Sequence, residues 1–359
     1  MKNRRIAAAV AAATLVVTGF VSVSANAAAA PQVGVVLPDS ASSVRWESFD
    51  RPLLTAAFKA AGVTVDIQNA LGDKSKWTTI AQGMITKKVK VLVLVNLDSP
   101  SAAAIEASAK KAGIATIDYD RLTLGGSASY YVSFDNVAVG KLQGQGIVDC
   151  LKAKMVAKPR IVYLNGSPTD NNATLFKQGY DSVIRPLITA GTYTLVDDKS
   201  VPDWDNVKGG TIFEQQLTKA GKKLDAVVSA NEGLGLAAVA VLKKNGLNGK
   251  VCVSGQDASA EGLAAILTKN LSNTVYKKVA LEAKGASDLA IALIKGTKAA
   301  TNGMTADSSV KGRSVPSILL APTAVTDAMG VKMVIDDKFV TRAAVCKVAT
   351  EAVCKAAGI

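Results

Sequence analysis

Residues 89–121 read VKVLVLVNLDSPSAAAIEASAKKAGIATIDYDR, and the order of residue types in them decides the fold. Residues 89–95 are an apolar run of strand length, the kind a parallel sheet buries on both faces. Residues 101–112 are rich in alanine, a strong helix former, and Gly113 follows as a C-cap. Residues 114–117 are apolar and strand-length again. A strand, a helix and a second strand in this order make one unit of a parallel sheet.

The same alternation fills the chain. Residues 32–37 are a strand-length apolar run, and Trp46, Phe49, Leu53 and Ala57 recur at helical spacing. Residues 63–67 read as strand and 77–88 as helix. The rhythm restarts after Phe134-Asp135-Asn136. Helices over 137–152, 174–188, 206–220, 234–245, 260–267 and 279–294 then alternate with strands over 160–164, 193–196, 224–229, 250–254 and 274–276. Segments 315–320 and 331–335 read as late strands. Two such runs in 359 residues predict two doubly wound α/β lobes, each a mostly parallel sheet covered on both faces.

The first residues set the compartment. Lys2, Arg4 and Arg5 precede an apolar run over 6–23, and Ala25 and Ala27 then occupy the −3 and −1 positions of a signal-peptidase cut. These are the three parts of a secretory signal over 1–27. A membrane anchor is the alternative, because about 18 apolar residues reach the edge of spanning length. The small-residue site and the polar chain after it favour cleavage, so an extracytoplasmic location in the periplasm or cell envelope is expected.

The formal charge of +13 is scattered over isolated lysines and pairs such as Lys87-Lys88 and Lys243-Lys244. No basic stripe interleaves with aromatics, so a nucleic-acid partner is not expected. Histidine is absent. That removes the usual general base and metal ligand and argues against Ser-His-Asp or Cys-His catalysis. Cys150, Cys252, Cys346 and Cys354 form no Cys-x-x-Cys pair, which speaks against zinc. No metal, cofactor or enzymatic activity is expected. In an oxidising compartment Cys346 and Cys354 could pair. An unbroken helix would hold them roughly 12 Å apart, too far for a disulfide, so a bridge requires the segment to fold back. Cys150 and Cys252 are expected as buried small hydrophobes.

The informative polar residues stand where strands stop. Asp120-Arg121 follows strand 114–117, and the run from Ser167 through Asp170 to Asn172 follows 160–164. Asn231-Glu232 follows 224–229, and Gly255-Gln256-Asp257 follows 250–254. Lys277 closes 274–276, and Arg45-Trp46 opens the first helix. Ligands of open parallel sheets bind beyond the carboxyl ends of the strands, and a cleft between two lobes is the natural site. Carboxylate, amide and guanidinium groups can each serve two neighbouring hydroxyls, and charged partners make the stronger hydrogen bonds. Trp46 and Trp204 could cover the apolar C–H faces of a pyranose. Taken singly, each residue has a plainer reading. Asp120, Asp170 and Asp257 suit caps and turns, Trp46 at helical spacing with Phe49 suits core, and Arg45 and Lys277 suit a solvated surface. Their occurrence at equivalent topological points favours one sugar-binding cleft.

Several segments resemble, in order and wording, a known family. They are Arg45-Trp46, Tyr119-Asp120-Arg121, Ser133-Phe134-Asp135-Asn136, Gly166-Ser167-Pro168 through Asp170-Asn171-Asn172-Ala173, Leu175-Phe176, Ser254-Gly255-Gln256-Asp257 and Thr274-Val275-Tyr276-Lys277. The resemblance is to the sugar-binding proteins of ABC importers with the ribose-binding-protein fold, the type I periplasmic binding proteins. It runs from about residue 32 to about 323. It implies ligand contacts from Arg45, Asp120 and Arg121 in the first lobe and from Asp170, Asn172, Asn231 and Asp257 in the second. Lys277 would lie at a crossover, Trp46 and Trp204 would flank the ring, and Asn171 would be a structural neighbour. It also implies a three-strand hinge near 135, 274–277 and 320. The first lobe would combine 31–134 with 278–319, and the second 135–273 with 320–359. The implied ligand is a monosaccharide, D-xylose foremost, and the implied partner is a membrane permease.

This sequence departs from the family pattern at Glu232, where an aspartate usually follows the asparagine, and in the tail with Cys346 and Cys354. Glucose, galactose, arabinose and ribose therefore stay open as ligands, and a chemoreceptor or sensor kinase as partner. A carboxylate-based sugar-modifying enzyme would nominate Asp120, Asp170 and Asp257. The missing histidine and the two-lobed polar set favour binding over catalysis.

Overall fold

The computed structural model describes residues 31–359, and the secretory signal read over 1–27 lies outside them. Among the described residues no helix is long and apolar enough to cross a membrane.

The chain forms β1 Val33–Leu37, β2 Val65–Asn69, β3 Val91–Leu94, β4 Ala115–Tyr119 and β5 Tyr130–Phe134. It continues with β6 Arg160–Asn165, β7 Thr194–Ser200, β8 Ala226–Ser229 and β9 Cys252–Val253. Last come β10 Thr274–Tyr276, β11 Gly303–Ala306, β12 Ser314–Leu320 and β13 Thr323–Val325. One sheet has seven strands in the order β11-β12-β5-β4-β3-β1-β2. A second has four in the order β7-β6-β8-β9, and β10 pairs with β13 beside it. Every pairing is parallel except β11–β12 and β10–β13.

The stretch over 89–121 folds as its pattern dictates. β3 is buried throughout and lies between β1 and β4. Val35 and Val93 face one core, while Val36, Leu92 and Leu94 face another, so apolar residues on both faces meet helices. Asp98 caps helix Ser99–Lys111 by accepting from the Ser101 amide. Gly113 then takes a φ of +74°, which glycine adopts without strain.

Three connections lead between the two sheets. β5 runs straight into helix Asn136–Ala153, which packs on β8 and β9. β10 leads into helix Val279–Lys295, which packs back on β3, β4 and β5. β12 leads into β13. Phe49 of the first helix stacks on Phe339 of the C-terminal segment, with ring centroids 4.3 Å apart.

Residues 331–335 are not a strand. They lie in helix Ala328–Asp336, whose N-terminus Asp327 caps by accepting from the Gly330 amide. Val331 and Val334, three residues apart, face the core, while Lys332 and Met333 are exposed. That is helical spacing.

Both cysteine pairs are bridged. Cys346 and Cys354 have Cα atoms 5.9 Å apart. Thr350, at φ +83°, breaks the segment into helices Arg342–Ala349 and Glu351–Ala356, which supplies the fold-back that the spacing demands. Cys150 and Cys252 are not independent buried hydrophobes. They are bonded to each other across a sequence separation of 102. Helix Asn136–Ala153 lies along the four-stranded sheet and carries Cys150 to β9.

Candidate functional site

One narrow cleft is lined by residues from the carboxyl ends of both sheets. Arg45, Trp46, Asp120 and Arg121 line it from the seven-stranded side, and Asp170, Asn172, Trp204, Asn231 and Asp257 from the four-stranded side. Lys277, just after β10, completes the ten residues singled out in the sequence. Ser42, Ser43, Phe176 and Gln256 also line the space.

The first helix opens with a π turn, Trp46–Asp50, in which the Arg51 amide donates to the Trp46 carbonyl five residues back. Pro52, which has no amide hydrogen, follows at once. The wide turn buries Arg45, Trp46 and Asp50 together, while Glu47 and Ser48 face outward. Arg45 Nη1 donates to Asp120 Oδ2 at 2.7 Å. Its Nε and Nη2 donate to Asp50 at 3.0 and 2.8 Å, and Nη2 also reaches Glu282 Oε2 at 2.6 Å. The guanidinium lies 4.4 Å from the Trp46 ring centroid. Burial works against its charge, but Asp50, Glu282 and Asp120 outweigh that and hold the pKa well above the usual arginine value.

Asp120 sits at φ +64°, a costly conformation for an aspartate. Its neighbours pin it there. Its amide donates to the Val132 carbonyl, and its own carbonyl accepts from Ser133 Oγ at 2.8 Å and Asn172 Nδ2 at 3.0 Å. Burial would raise the Asp120 carboxyl, but Arg45, Lys277 and Arg121 together hold it below the ordinary range. Asn136 donates to Asn172 Oδ1 at 2.9 Å, which fixes that amide's orientation.

Asp170 and Asn231 are both helix caps, a role the sequence suggested for Asp170 alone. Asp170 accepts from the Asn172 amide at the start of helix Asn171–Thr189, and Asn231 accepts from the Leu234 amide at the start of helix Glu232–Lys244. Both also face the cleft. Asp257 is no cap, because Ser259 caps the next helix. It holds φ +126° and lies 3.5 Å from Lys277 Nζ. Burial raises the carboxyls of Asp170 and Asp257, and Arg121 and Lys277 respectively offset part of that.

Trp204 Nε1 donates to Asp170 Oδ2 at 3.1 Å, and its ring meets Phe176 edge-on at 6.4 Å. Gly166 makes room for it, since a Cβ there would lie 2.0 Å from the indole. Trp46 is core and cleft wall at once. Trp46 Nε1 and Gln256 Oε1 are buried without a partner in the protein, a cost that a guest with hydroxyls would relieve.

Two residues behind the wall escaped the sequence reading. Asp50 is five residues from Arg45, a spacing that faces inward only in a π turn. Glu282 lies 237 residues from Arg45 and no local signal joins them. Phe176 stood inside a motif segment but carried no sign of facing the cleft, and Gln256 stood at a strand end without being singled out as a contact. Among the described residues no group of three His, Cys, Asp or Glu side chains is placed to hold a metal ion.

Residues 33–298 match the family described as periplasmic binding protein domain. The chain is 34% identical over 333 residues to the D-xylose-binding periplasmic protein of Haemophilus influenzae, covering 92% of this chain and 97% of that one. It is also 34% identical over 330 residues to the multiple sugar-binding periplasmic receptor ChvE of Rhizobium radiobacter, covering 88% of this chain and 92% of that one. Its structure resembles that of an ABC transporter solute-binding protein from Clostridium phytofermentans with bound β-D-glucose. The TM-score is 0.79 and the identity 27%, over 87% of this chain and 99% of that one.

Proposed function

The chain belongs to the periplasmic binding protein family, and from that premise we propose that it is the extracytoplasmic solute-binding component of a sugar ABC importer. Its ligand is one free aldopyranose, D-xylose before other aldoses. It binds without transforming the sugar and hands it to a membrane permease.

The make-up of the cleft carries this reading. Three cations, Arg45, Arg121 and Lys277, and three carboxylates, Asp120, Asp170 and Asp257, line one small space. Each is already paired with a protein group. A charged guest would have to compete with these pairs and shed its own hydration, at a high desolvation cost. A neutral guest with many hydroxyls would not, and two tryptophans offer flat surface to its C–H faces. The likeness to a D-xylose-binding relative supports the choice of sugar. The signal read over 1–27 and two disulfides fit an oxidising compartment.

The lobes, divided near 135, 274–277 and 320, would close as on a hinge. Contacts such as Asn172 to Asp120 and Arg121 to Asp170 join them only when the cleft is shut. A sugar touching both lobes favours the shut form by its preference for it. The permease would read that form.

A thermal-shift screen over xylose, glucose, galactose, arabinose and ribose tests the reading, because a ligand of the native state raises stability by mass action. Xylose should give the largest shift, and no shift with any aldose would overturn the proposal. The likeness to a multiple sugar-binding receptor favours a second reading, in which several aldoses bind and a chemoreceptor or sensor kinase reads the shut form. Pull-down from membrane extracts with sugar-loaded protein separates the two partners. Recovery of the aldose unchanged after long incubation would separate both from a sugar-modifying enzyme.

A further inference from the structure

Glu282 stands one layer behind the cleft. It lies in helix Val279–Lys295, is fully buried, and places Oε2 2.6 Å from Arg45 Nη2. Its Oε1 is buried with no partner in the protein. Asp50 and Asp120 take three of the other four N–H donors of the same guanidinium. One arginine therefore faces three carboxyl groups.

The neighbouring cations do not make up the difference. Lys277 serves Asp257, and Arg121 serves Asp170. Across the cluster three cations meet five carboxyl groups, all buried or nearly so. Like charges this close in a dry setting cannot all stay ionised, so the cluster keeps a proton. Glu282 is the member best placed to hold it. Asp50 accepts two donors from Arg45 and the Tyr119 hydroxyl at 2.5 Å, and Asp170 accepts from Trp204 and the Asn172 amide besides its ion pair. Glu282 has Arg45 alone. Burial pushes its carboxyl up to about 8 against the pull of Arg45, with Asp120 and Asp50 adding to the rise and Lys277 opposing it.

We infer that Glu282 is a positioning residue for Arg45 and that it is protonated when the cleft is shut, so that ligand binding takes up a proton. The inference rests on the sugar-binding reading above. Shutting the cleft excludes water from Arg45 and the carboxyl groups around it, and that loss of water disfavours an ionised Glu282. Opening the cleft returns water to Arg45 and lets the proton leave. Affinity is therefore greatest below the open-form titration of Glu282, falls as pH rises toward the shut-form titration, and levels off above it, where Glu282 is ionised in both forms.

The test is calorimetric titration of the full chain with D-xylose at about pH 7.5, in two buffers with different heats of ionisation, and then across about pH 5 to 9.5. The wild type should show a buffer-dependent enthalpy. Its affinity should fall by up to about tenfold per pH unit as pH rises toward the shut-form titration of Glu282 near about 8, the limit for one linked proton, and level off above it. Glu282→Gln keeps the acceptor for Arg45 but cannot titrate. It should bind within a few-fold of wild type at neutral pH and lose both effects. Glu282→Ala should bind weakly at every pH. A buffer-independent enthalpy in the wild type would overturn the inference, as would a buffer dependence that survives in Glu282→Gln. Should that variant not fold, a flat wild-type affinity profile would overturn it alone. Failure of every aldose to bind the wild type would instead remove the sugar-binding reading, and this inference with it.

Discussion

Arg121 reaches from the loop after β4 to Asp170 at the start of helix Asn171–Thr189, with Nε 3.0 Å from Oδ2 and both side chains buried. The Asn96 carbonyl accepts from Arg121 Nη1 at 2.9 Å, and Trp204 donates to the same Asp170 oxygen. The guanidinium is thus held by a hydrogen bond from one side and by an ionic contact from the other, its Nε–H lying close to Asp170 without pointing at it. Arg121→Ala would leave Asp170 with neutral donors only. The expected loss of sugar affinity is about 3–5 kcal/mol, by analogy with broken buried pairs, with the circular dichroism spectrum unchanged. Near-normal affinity by calorimetry would remove Arg121 from the site.

Gly166 and Trp204 make a second test. A Cβ at residue 166 would lie 2.0 Å from the indole ring. Trp204 cannot easily retreat, because Asp203 and Trp204 already hold φ values of +58° and +56°. Gly166→Ala should displace the ring and break its hydrogen bond to Asp170. A hydrogen bond to a charged group contributes about 1.5–3 kcal/mol, so affinity should drop by at least tenfold and tryptophan emission should shift. Unchanged emission and affinity would mean that the indole is not held as described.

The two disulfides differ in the chain they close. Cys150 and Cys252 are separated by 102 residues and Cys346 and Cys354 by 8. In the chain-entropy view a bridge over about 100 residues stabilises by about 4.7 kcal/mol, and a short loop by less. Replacing both Cys150 and Cys252 with alanine should therefore lower the urea midpoint more than replacing Cys346 and Cys354. The reverse order would show that the native state relaxes when the long bridge is removed.

Much of this architecture was legible because the alternation of apolar runs sets the topology, and the topology sets where strands end. Residues 89–121 gave strand, helix and strand, and the residues at strand ends, with Trp204 added as a flat surface, gave the ten that line the cleft. β5 was hidden because it follows β4 across a short loop with no helix between them. Residues 331–335 misled because a short, mostly apolar stretch suits either element, and only the Asp327 cap and its helical burial decide. Cys150 and Cys252 could not be paired from sequence, since spacing does not reveal connectivity. Asp50 and Glu282 were invisible for the same kind of reason. One depends on a local π turn, and the other on a contact between distant segments.

Glu232 offers a test of stability apart from ligand binding. It is buried beside the cleft residue Asn231 and accepts from the amide and hydroxyl of Ser259 and from the Thr274 hydroxyl. Burial raises its carboxyl from the ordinary 4.5 to about 7, with Asp257 adding repulsion and the hydrogen bonds opposing. A raised carboxyl means that the native state binds the proton more tightly than the unfolded chain does. Its stabilising contribution is full below about pH 4.5 and is lost as pH rises through about 7. That gap of about 2.5 pH units corresponds to on the order of 3 kcal/mol. Glu232→Gln keeps the shape and cannot titrate. The unfolding free energy of the wild type minus that of the variant should therefore fall by that order between about pH 4.5 and 7.5, in urea without ligand. Taking the difference cancels every other titrating group common to both proteins, so a level difference over this range would mean that Glu232 is ionised in the native state throughout.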